Sequence, residues 1–406
     1  MADTGSGRIG FENGGLVVPD RPVIPFIPGD GIGPEVWEAA RPVIDAAVRA
    51  AYGGSLGIEW MEVPAGERAA SPSGGELLPA ATVEAIRRHR AAIKGPTSTP
   101  VGGGHRSVNV ALRQALDLYA NVRTVRYFAG VNAPVRDPAA LDVVIFRENT
   151  EDVYAGIEFD FGTEGAAQIA VFARRFGHEI PADAGVGIKV ISREKSRRLV
   201  RAALAYAIAH GRDRVTLVHK GNIMKATEGA FVRWGCELVH DEFEGRAIAA
   251  ADLPAGATPP AGLVVVNDRI ADALFQDLLL KPRSLSVIAT TNLNGDYISD
   301  ACAAQVGGLG LAPGANIGEG MAVFEATHGT APDIAGKGIA NPASMIFSGA
   351  MLLEFLGWNE AAAKITNAVA DVLKSGRMTP DLASATPGAR ALSTSAFGRA
   401  VEEAIT

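Results

Sequence analysis

Runs of apolar, β-branched residues recur along this chain and alternate with polar loops and helical patterns. They cover residues 22–27, 56–63, 91–96, 142–148, 215–221, 263–268 and 285–291. Short apolar runs of this kind are typical of strands that are buried on both faces of a sheet. The first run leads through a glycine-bearing turn into a helical pattern at 36–52, which is the strand–loop–helix order of an α/β unit. The pattern therefore predicts an α/β protein.

One segment, residues 155–195, breaks this rhythm. It contains several glycines and a proline, and the regular alternation of apolar run and helix is lost there. Glycine and proline interrupt regular elements, so the segment is predicted to be an insertion of short strands and turns. We expect it to contribute to an interface.

Composition limits the class of protein. The chain has 406 residues, of which 48% are hydrophobic and 20% charged, which is long enough for two domains. A net charge of -7 without a dense basic stretch argues against nucleic-acid binding. Two cysteines are too few for a disulfide framework, the N-terminal stretch does not resemble a secretory signal, and no apolar run approaches membrane-spanning length. We expect a cytoplasmic protein with no membrane contact.

Two aspartates four residues apart, Asp296 and Asp300, stand where a loop is predicted to become a helix. Residues at this spacing project from one helix face, where two carboxylates repel each other unless they share a cation. Hard oxygen ligands favour Mg²⁺ or Mn²⁺ over zinc. Carboxylates at this spacing usually belong to a solvated helix face, so the pair alone is weak evidence for a metal site.

Three arginines, Arg113, Arg123 and Arg147, lie near predicted loop ends, the first of them downstream of a triple-glycine loop and of Ser107 and Asn109. A guanidinium group can bind a carboxylate through two parallel N–H bonds, which suits a substrate with several carboxylates. For any single arginine, an ordinary role on the surface or in an ion pair is the better interpretation.

Six motifs in order place these residues in a recognisable context. They are GDGIGPE, KGPTSTPVGGGHRSVNVALRQ, IFRENTEDVYAGIE, TLVHKGNIMKATEG, NLNGDYISD and FEATHGTAPDIAGKGIANP. Together they closely resemble the isocitrate dehydrogenases of the bacterial homodimeric type, from about residue 23 to the C-terminus. The resemblance implies the isocitrate/isopropylmalate dehydrogenase fold, which is not a Rossmann fold. It also implies a large α/β domain from residues 1–118 and 307–406, a small α/β domain from 119–154 and 196–306, and a clasp at the dimer interface from 155–195.

The resemblance also implies the reaction and its residues. Isocitrate would be oxidised and decarboxylated to 2-oxoglutarate and CO₂ through oxalosuccinate, as in the tricarboxylic acid cycle. Lys220 is implied as the base or proton relay, and Tyr154 as the donor of a proton to C3. The implied metal ligands are Asp296, Asp300 and Asp272, the last reaching the site of the other subunit in a homodimer. The implied substrate ligands are Ser107, Asn109, Arg113, Arg123 and Arg147.

Two positions separate isocitrate from the substrates of related enzymes. Isopropylmalate dehydrogenases of this family present apolar residues where this chain has Ser107 and Asn109. Polar groups built for a carboxylate are left unpaired by an isopropyl group, so isocitrate is favoured over isopropylmalate, homoisocitrate or tartrate. A catalytically silent regulatory subunit is a further alternative, but such subunits tend to lose the metal aspartates or the catalytic lysine and tyrosine.

The adenosine-binding loop of the family corresponds to residues 328–342. The residues implied to hold the cofactor are Thr99, His328, Gly329, Asp333, Ile334 and Asn341. The NADP-using branch has a lysine and a tyrosine where this chain has Asp333 and Ile334, and a tyrosine and an arginine where it has Pro380 and Ser384. An aspartate can accept hydrogen bonds from ribose hydroxyls and would repel a 2′-phosphate, so we expect NAD as the cofactor, with an NADP-dependent isocitrate dehydrogenase as the alternative.

Overall fold

The computed structural model describes residues 7–70, 76–98, 107–254 and 258–405. The strands are β1 Gly10–Glu12, β2 Gly15–Val17, β3 Val23–Ile27, β4 Glu59–Glu62, β5 Ala91–Lys94, β6 Ala120–Arg126, β7 Asp142–Glu148, β8 Glu158–Phe159, β9 Val186–Gly187, β10 Arg214–His219, β11 Ala247–Ala249, β12 Val264–Ile270, β13 Val287–Thr290, β14 Pro313–Gly318, β15 Met321–Ala326, β16 Arg377–Met378 and β17 Arg390–Ala391. The helices are α1 Gly33–Tyr52, α2 Ala80–His89, α3 Val108–Ala115, α4 Glu164–Arg175, α5 Arg193–Ala209, α6 Glu228–Glu242, α7 Ala271–Leu280, α8 Asn292–Gln305, α9 Ala343–Phe355, α10 Asn359–Lys374, α11 Pro380–Ala383 and α12 Thr394–Glu403. Each of the seven apolar runs overlaps one of these strands, although β10 begins one residue before its run and β12 ends two residues after its run.

Eleven strands form one sheet in the order β11-β12-β10-β13-β7-β6-β14-β15-β5-β3-β4. The five strands from β11 to β7 are parallel to one another, as are the four strands from β15 to β4. Between the two groups lie β6 and β14, which pair antiparallel with each other and with their outer neighbours. Strand directions therefore reverse in the middle of the sheet, unlike the all-parallel sheet of a Rossmann domain.

The two faces of the sheet are packed differently. One continuous apolar cluster covers one face and includes Val122, Val144 and Phe324. Residues of opposite parity on the same strands point to the other face, where two separate apolar clusters form. One contains Ile298 and Cys302 of α8, and the other contains Val108 and Leu112 of α3. A polar strip across the middle of the sheet is left between these two clusters.

The segment at 155–195 has more regular structure than its sequence predicts. Besides the short strands β8 and β9, which pair antiparallel, it contains the twelve-residue helix α4. The hydroxyl of Thr163 caps this helix by accepting from the amide of Ala166. Several apolar side chains of the segment are exposed, namely Phe161, Val171, Phe172 and Phe176. The apolar residues therefore do not form the buried face that usually marks a helix in a sequence.

The predicted α/β fold is confirmed by this architecture. One sheet runs through both predicted domains, so the sheet does not mark a boundary between them. The division into a large domain, a small domain and a clasp stays a prediction. Within the described ranges, no helix combines the length and the apolar character needed to cross a membrane.

Candidate active site

The candidate site lies over the polar strip in the middle of the sheet. Directly opposed residues in an antiparallel pair share a face, and Asn121 of β6 is opposed to Arg147 of β7. Arg123, two positions after Asn121, shares that face. Across the sheet, Gly314 is opposed both to Arg123 and to Glu325, and Glu325 is paired with Lys94. The register therefore brings residues from five strands and both halves of the chain to one surface.

Asp296 and Asp300 approach this surface from α8, on one helix face as predicted. A terminal nitrogen of Arg147 donates to Oδ1 of Asp296, and the Arg123 Nη1 lies 3.4 Å from Oδ1 of Asp300. Burial opposes the ionisation of Asp296, but the charge of Arg147 and the hydrogen bond from Tyr154 outweigh it and lower the pKa of this carboxyl. The side chains of Asp296 and Asp300 are 37% and 54% exposed, so a cation can reach both.

Tyr154 lies in a short 3₁₀ turn after β7 and joins this group. Its hydroxyl donates to Oδ2 of Asp296 at 2.5 Å, and the guanidinium carbon of Arg147 lies 4.9 Å from the centre of its ring. Burial, together with the hydrogen bond to Asp296, raises the pKa of Tyr154 to about 12. Burial also lowers the pKa of Arg147 to about 10. The tyrosine hydroxyl therefore keeps its proton at neutral pH.

A buried carboxylate organises the other side of the strip. Glu325 accepts from Lys94 Nζ at 2.9 Å, from Arg113 Nη2 at 2.8 Å and from Asn316 Nδ2 at 2.8 Å. Burial opposes the ionisation of Glu325, and the charges of Lys94 and Arg113 overcome it, so the pKa of Glu325 is far below its usual range. Beside this cluster is a cavity of about 140 Å³ that Arg123 and Asn109 also line.

Ser107 and Asn109 stand at the start of α3. Ser107 occupies the N-cap position, and its carbonyl accepts from the Ala111 amide, but in the described part of the chain its hydroxyl caps no amide of the helix. The hydroxyl is thus not used by α3. The side-chain oxygen of Asn109 accepts from Thr97 Oγ1 at 3.0 Å, and the buried Nε of Arg113 has no hydrogen-bond partner among the described residues.

Lys220 and Asp272 form a separate pair. The Lys220 ammonium donates to Oδ1 of Asp272 at 2.6 Å and also to Oδ2. Neither residue joins Tyr154 or the aspartates of α8: within the described residues, no three histidine, cysteine or acidic side chains come together as a metal site. One chain thus brings together two of the three predicted metal ligands, and the predicted proton carriers Lys220 and Tyr154 lie in different groups.

The predicted cofactor loop packs against the first glycine turn. The amide of Ile32 donates to the carbonyl of Thr330 at 2.9 Å, and a Cβ on Gly31 would come within 2.1 Å of that oxygen, so only glycine fits there. His328 Nδ1 contacts the Gly329 carbonyl, while its buried Nε2 lacks a partner among the residues described. Burial lowers the pKa of His328, so this imidazole is neutral and can bond to a ligand.

The remaining predicted cofactor residues differ in their exposure and in the hydrogen bonds that they already make. Asp333 is exposed and Ile334 partly exposed in the turn Pro332–Ile334. Asn341 is buried and already bonded, donating to Asp381 at 3.1 Å and accepting from the Ala343 amide at 3.0 Å. Thr99 lies outside the described residues. The roles of all the site residues stay predictions.

Glu325 and Glu228 contact predicted site residues but were not themselves predicted from the sequence. Only Glu325 has a sequence feature that indicates its role. Glu325 is a charged residue within the otherwise apolar strand β15, and a buried charge requires a partner of opposite charge. Glu228, which accepts from the Lys220 amide, is fully buried at the start of α6, where an acidic residue is commonly a solvated helix-start residue. Its other partners, Lys189, Thr291 and Asn294, come from distant segments, so the sequence holds no comparable signal for it.

Three comparisons with known proteins give concordant results. The family model described as isocitrate/isopropylmalate dehydrogenase matches residues 23–401. A relative from Staphylococcus aureus, named isocitrate dehydrogenase [NADP], is 51% identical over 94% of this chain and 95% of its own length. A Coxiella burnetii protein with the same name is 51% identical over 95% of this chain and 92% of its own length. The crystal structure of isocitrate dehydrogenase from Methylococcus capsulatus is 41% identical, with a TM-score of 0.78 over 94% of this chain and 99% of that one.

These relatives overturn the expectation of NAD, because they are named as NADP enzymes at about half identity over nearly the whole chain. That prediction weighed four positions and left out Lys337, the only lysine or arginine between His328 and Asn341. Lys337 is exposed, and its amide donates to the Ile334 carbonyl at 3.1 Å, so a cation does stand beside the two replaced positions. The charge of Asp333, exposed to water, is strongly screened and is a weak barrier to a phosphate.

The family resemblance itself is confirmed. The match to the family model spans nearly the whole chain, the relatives share half of its residues, and the sheet is that of a solved isocitrate dehydrogenase. This chain therefore belongs to the isocitrate/isopropylmalate dehydrogenase family.

Proposed function

We propose that this protein is an NADP-dependent isocitrate dehydrogenase that oxidatively decarboxylates isocitrate to 2-oxoglutarate and CO₂ in the tricarboxylic acid cycle, acting in the cytoplasm. The observation that carries the proposal is the group formed by Tyr154, Asp296 and Arg147, which joins a proton donor, a metal-ligand candidate and a carboxylate-binding cation. The names of the half-identical relatives support both the substrate and the cofactor.

The carboxylates of the substrate would be bound by arginines on two sides of the strip. Arg123 is buried on β6 and lines the same cavity as Arg113, whose buried Nε has no partner among the described residues. A buried N–H without a partner costs free energy that a carboxylate oxygen would recover. Ser107, whose hydroxyl α3 does not use, and Asn109 are the expected donors to the third carboxylate. An apolar isopropyl group would leave these donors unpaired.

Asp296 and Asp300 fit a divalent cation, since they offer hard carboxylate oxygens on one exposed helix face. When bound, Mg²⁺ or Mn²⁺ would supply Lewis acidity at the C2 oxygen. The chain's own groups do the remaining work. Lys220 would act in its neutral form as the base or relay for the C2 hydroxyl proton when hydride passes to the nicotinamide, and Tyr154 would return a proton to C3 after CO₂ leaves. A tyrosine that keeps its proton at neutral pH suits the second task.

Each active site is proposed to be shared between two subunits of a homodimer. Because Lys220 is paired with Asp272, both would enter the partner's site together, while Tyr154 and the α8 aspartates serve their own. The exposed aromatic residues Phe161, Phe172 and Phe176 support the segment at 155–195 as part of the dimer interface, since large exposed apolar patches mark interaction surfaces.

Mixed dimers test this sharing directly. Tyr154→Phe and Lys220→Met subunits are each expected to form inactive homodimers. A dimer with one of each would contain one site with both defects and one intact site. Random reassembly of an equal mixture makes half of the dimers mixed, so about one quarter of the wild-type activity should return. Mixed dimers that stay inactive would show that Lys220 and Tyr154 act within one subunit.

Substrate and cofactor are tested by initial rates with Mg²⁺ or Mn²⁺. We expect the highest kcat/KM with isocitrate and NADP, and little turnover of isopropylmalate, homoisocitrate or tartrate. A preference for another acid would refute the assignment of Ser107 and Asn109, and a preference for NAD would refute the cofactor. Absence of turnover with every pair would favour a catalytically silent subunit.

A further inference from the structure

A partly buried lysine outside the proposed reaction joins two buried carboxylates. Lys189, in the segment at 155–195, places its Nζ 2.8 Å from Oδ1 of Asp152 and 2.5 Å from Oε1 of Glu228. The Asp152 and Glu228 side chains are 1% and 0% exposed, and that of Lys189 is 16% exposed. Two buried carboxylates near one another require a cation, and Lys189 provides it to both.

Glu228 fixes the segment that presents Lys220. Its Oε2 accepts from the Lys220 amide and from Asn294 Nδ2 at 2.9 Å, while Oε1 accepts from Thr291 Oγ1 at 3.3 Å as well as from Lys189. Thr291 and Asn294 belong to the start of α8, the helix that carries Asp296. The Glu228 carboxylate thus connects the backbone of Lys220 to the first turn of this helix.

Asp152 fixes the segment that presents Tyr154. Its Oδ2 accepts from the Leu293 amide in the first turn of α8 at 3.0 Å, and its own amide donates to the carbonyl of Val190 at 2.9 Å. Asp152 has a φ of 70°, a left-handed conformation that is uncommon outside glycine and is kept only when its surroundings determine it. The turn that aims Tyr154 therefore depends on the contacts of Asp152.

We propose that Lys189 is a positioning residue that holds both proton carriers, Lys220 and Tyr154, in register with the metal-ligand helix α8 through its bridge between Glu228 and Asp152. This inference rests on the proposed function for the roles of the two carriers. In the proposed dimer, Lys220 and Tyr154 of one subunit serve different active sites, so the bridge spans the distance between two sites. The bridge also makes Lys189, which lies in the segment at 155–195, part of the catalytic geometry.

The kinetic test compares Lys189→Met with Lys195→Met. Lys195 is a matched control in the same region, because it also pairs with a carboxylate, Glu151, but at 3.7 Å and with 33% of its side chain exposed. Displacing a catalytic group by about 1 Å costs on the order of 100-fold in rate, so Lys189→Met should lower kcat by about 10- to 100-fold. The KM for isocitrate should stay within about twofold, because Arg113 and Arg123 do not touch the bridge. The control should keep its kcat.

Amide hydrogen exchange gives a readout that does not need substrate, metal or cofactor. Lys189→Met should speed exchange at the amides of Lys220 and Leu293, which donate to Glu228 and Asp152. Exchange in the distant strands β3 to β5 should not change. Faster exchange throughout the chain, with an equal loss of bound isocitrate, would show a general structural role and overturn the proposal.

A double variant keeps the test valid if Lys189→Met fails to fold. Lys189→Met with Glu228→Gln restores the net charge of the three-residue group without restoring the bridge. It should fold and still show the lowered kcat with an unchanged KM. Wild-type kcat in either variant would overturn the positioning role, whereas a wild-type protein that does not turn over isocitrate would instead overturn the proposed function.

Discussion

Glu325→Gln is the most informative single substitution for the electrostatics of the site. Glutamine has the shape of glutamate, but it removes the negative charge that lies 2.9 Å from Lys94 Nζ and 2.8 Å from Arg113 Nη2. All three side chains are buried or nearly so. Removing one partner from a buried ion group costs about 3–5 kcal/mol of stability, since the remaining charges are neither paired nor solvated. Glutamine keeps an acceptor for Asn316, so we expect a loss of unfolding free energy near 3 kcal/mol at neutral pH.

The pH dependence gives this prediction a second, sharper test. The pKa of Glu325 is lowered in the folded protein from its ordinary value of 4.5, because Lys94 and Arg113 outweigh the cost of burial. A carboxyl with a lowered folded pKa stabilises the fold above its unfolded pKa and loses that contribution as pH falls. By pH 3.5, the unfolded chain binds this proton and about 1.4 kcal/mol of the contribution is gone.

The measurement is urea unfolding of wild type and Glu325→Gln between pH 7 and pH 3.5. The difference between the two proteins should be about 3 kcal/mol at pH 7 and should shrink by roughly 1.4 kcal/mol at pH 3.5. Glu319→Gln, an exposed glutamate in the turn between β14 and β15, is the control and should change stability by less than about 0.5 kcal/mol. A difference between wild type and Glu325→Gln that does not change with pH would refute the assigned pKa and the charge-balance reasoning behind it.

Three further predictions concern metal, cofactor and assembly. Asp300→Asn should raise the Kd for Mn²⁺, measured by calorimetry, by about tenfold or more; an unchanged Kd would remove Asp300 from the ligand set. Asp333→Asn should raise kcat/KM for NADP by about two- to fivefold, because a screened negative charge beside the 2′-phosphate is removed, and an unchanged ratio of NADP to NAD rates would place the phosphate elsewhere. Phe172→Asp should shift the protein toward a monomer in analytical ultracentrifugation and reduce activity in proportion, and a fully active monomer would contradict the shared site.

Much of the fold follows from local patterns. The strand runs at β3, β7 and β10 are correct because these strands are buried along most of their length, with apolar side chains on both faces. The edge strand β4 differs, since Glu59 and Glu62 are exposed. The α8 pair, Asp296 and Asp300, is correct because helical spacing fixes which side chains share a face. These are predictions in which the relevant interaction lies within a few residues of sequence.

The parts that the sequence did not predict depend on contacts between distant segments. The Glu325 group joins residues more than 200 positions apart, and the Lys189 bridge joins three segments. Helix α4 was missed because its apolar residues face outward, so its pattern lacks the burial that usually marks a helix. The cofactor expectation was wrong because it treated the absence of cations at chosen positions as the absence of cations from the loop, and Lys337 lies in that loop.

The charge of the polar strip itself favours isocitrate over isopropylmalate. Lys94, Arg113, Arg123 and Arg147 provide four positive charges on this surface, and they face the three carboxylates of Glu325, Asp296 and Asp300. His328 adds no charge at neutral pH, because burial lowers its pKa. The surface therefore has one net positive charge. A tricarboxylate together with a divalent cation carries one net negative charge and leaves the closed site neutral, whereas a dicarboxylate with the same cation leaves one buried positive charge without a partner. Since an unpaired buried charge is costly, the number of arginines and aspartates selects for a third carboxylate independently of Ser107 and Asn109.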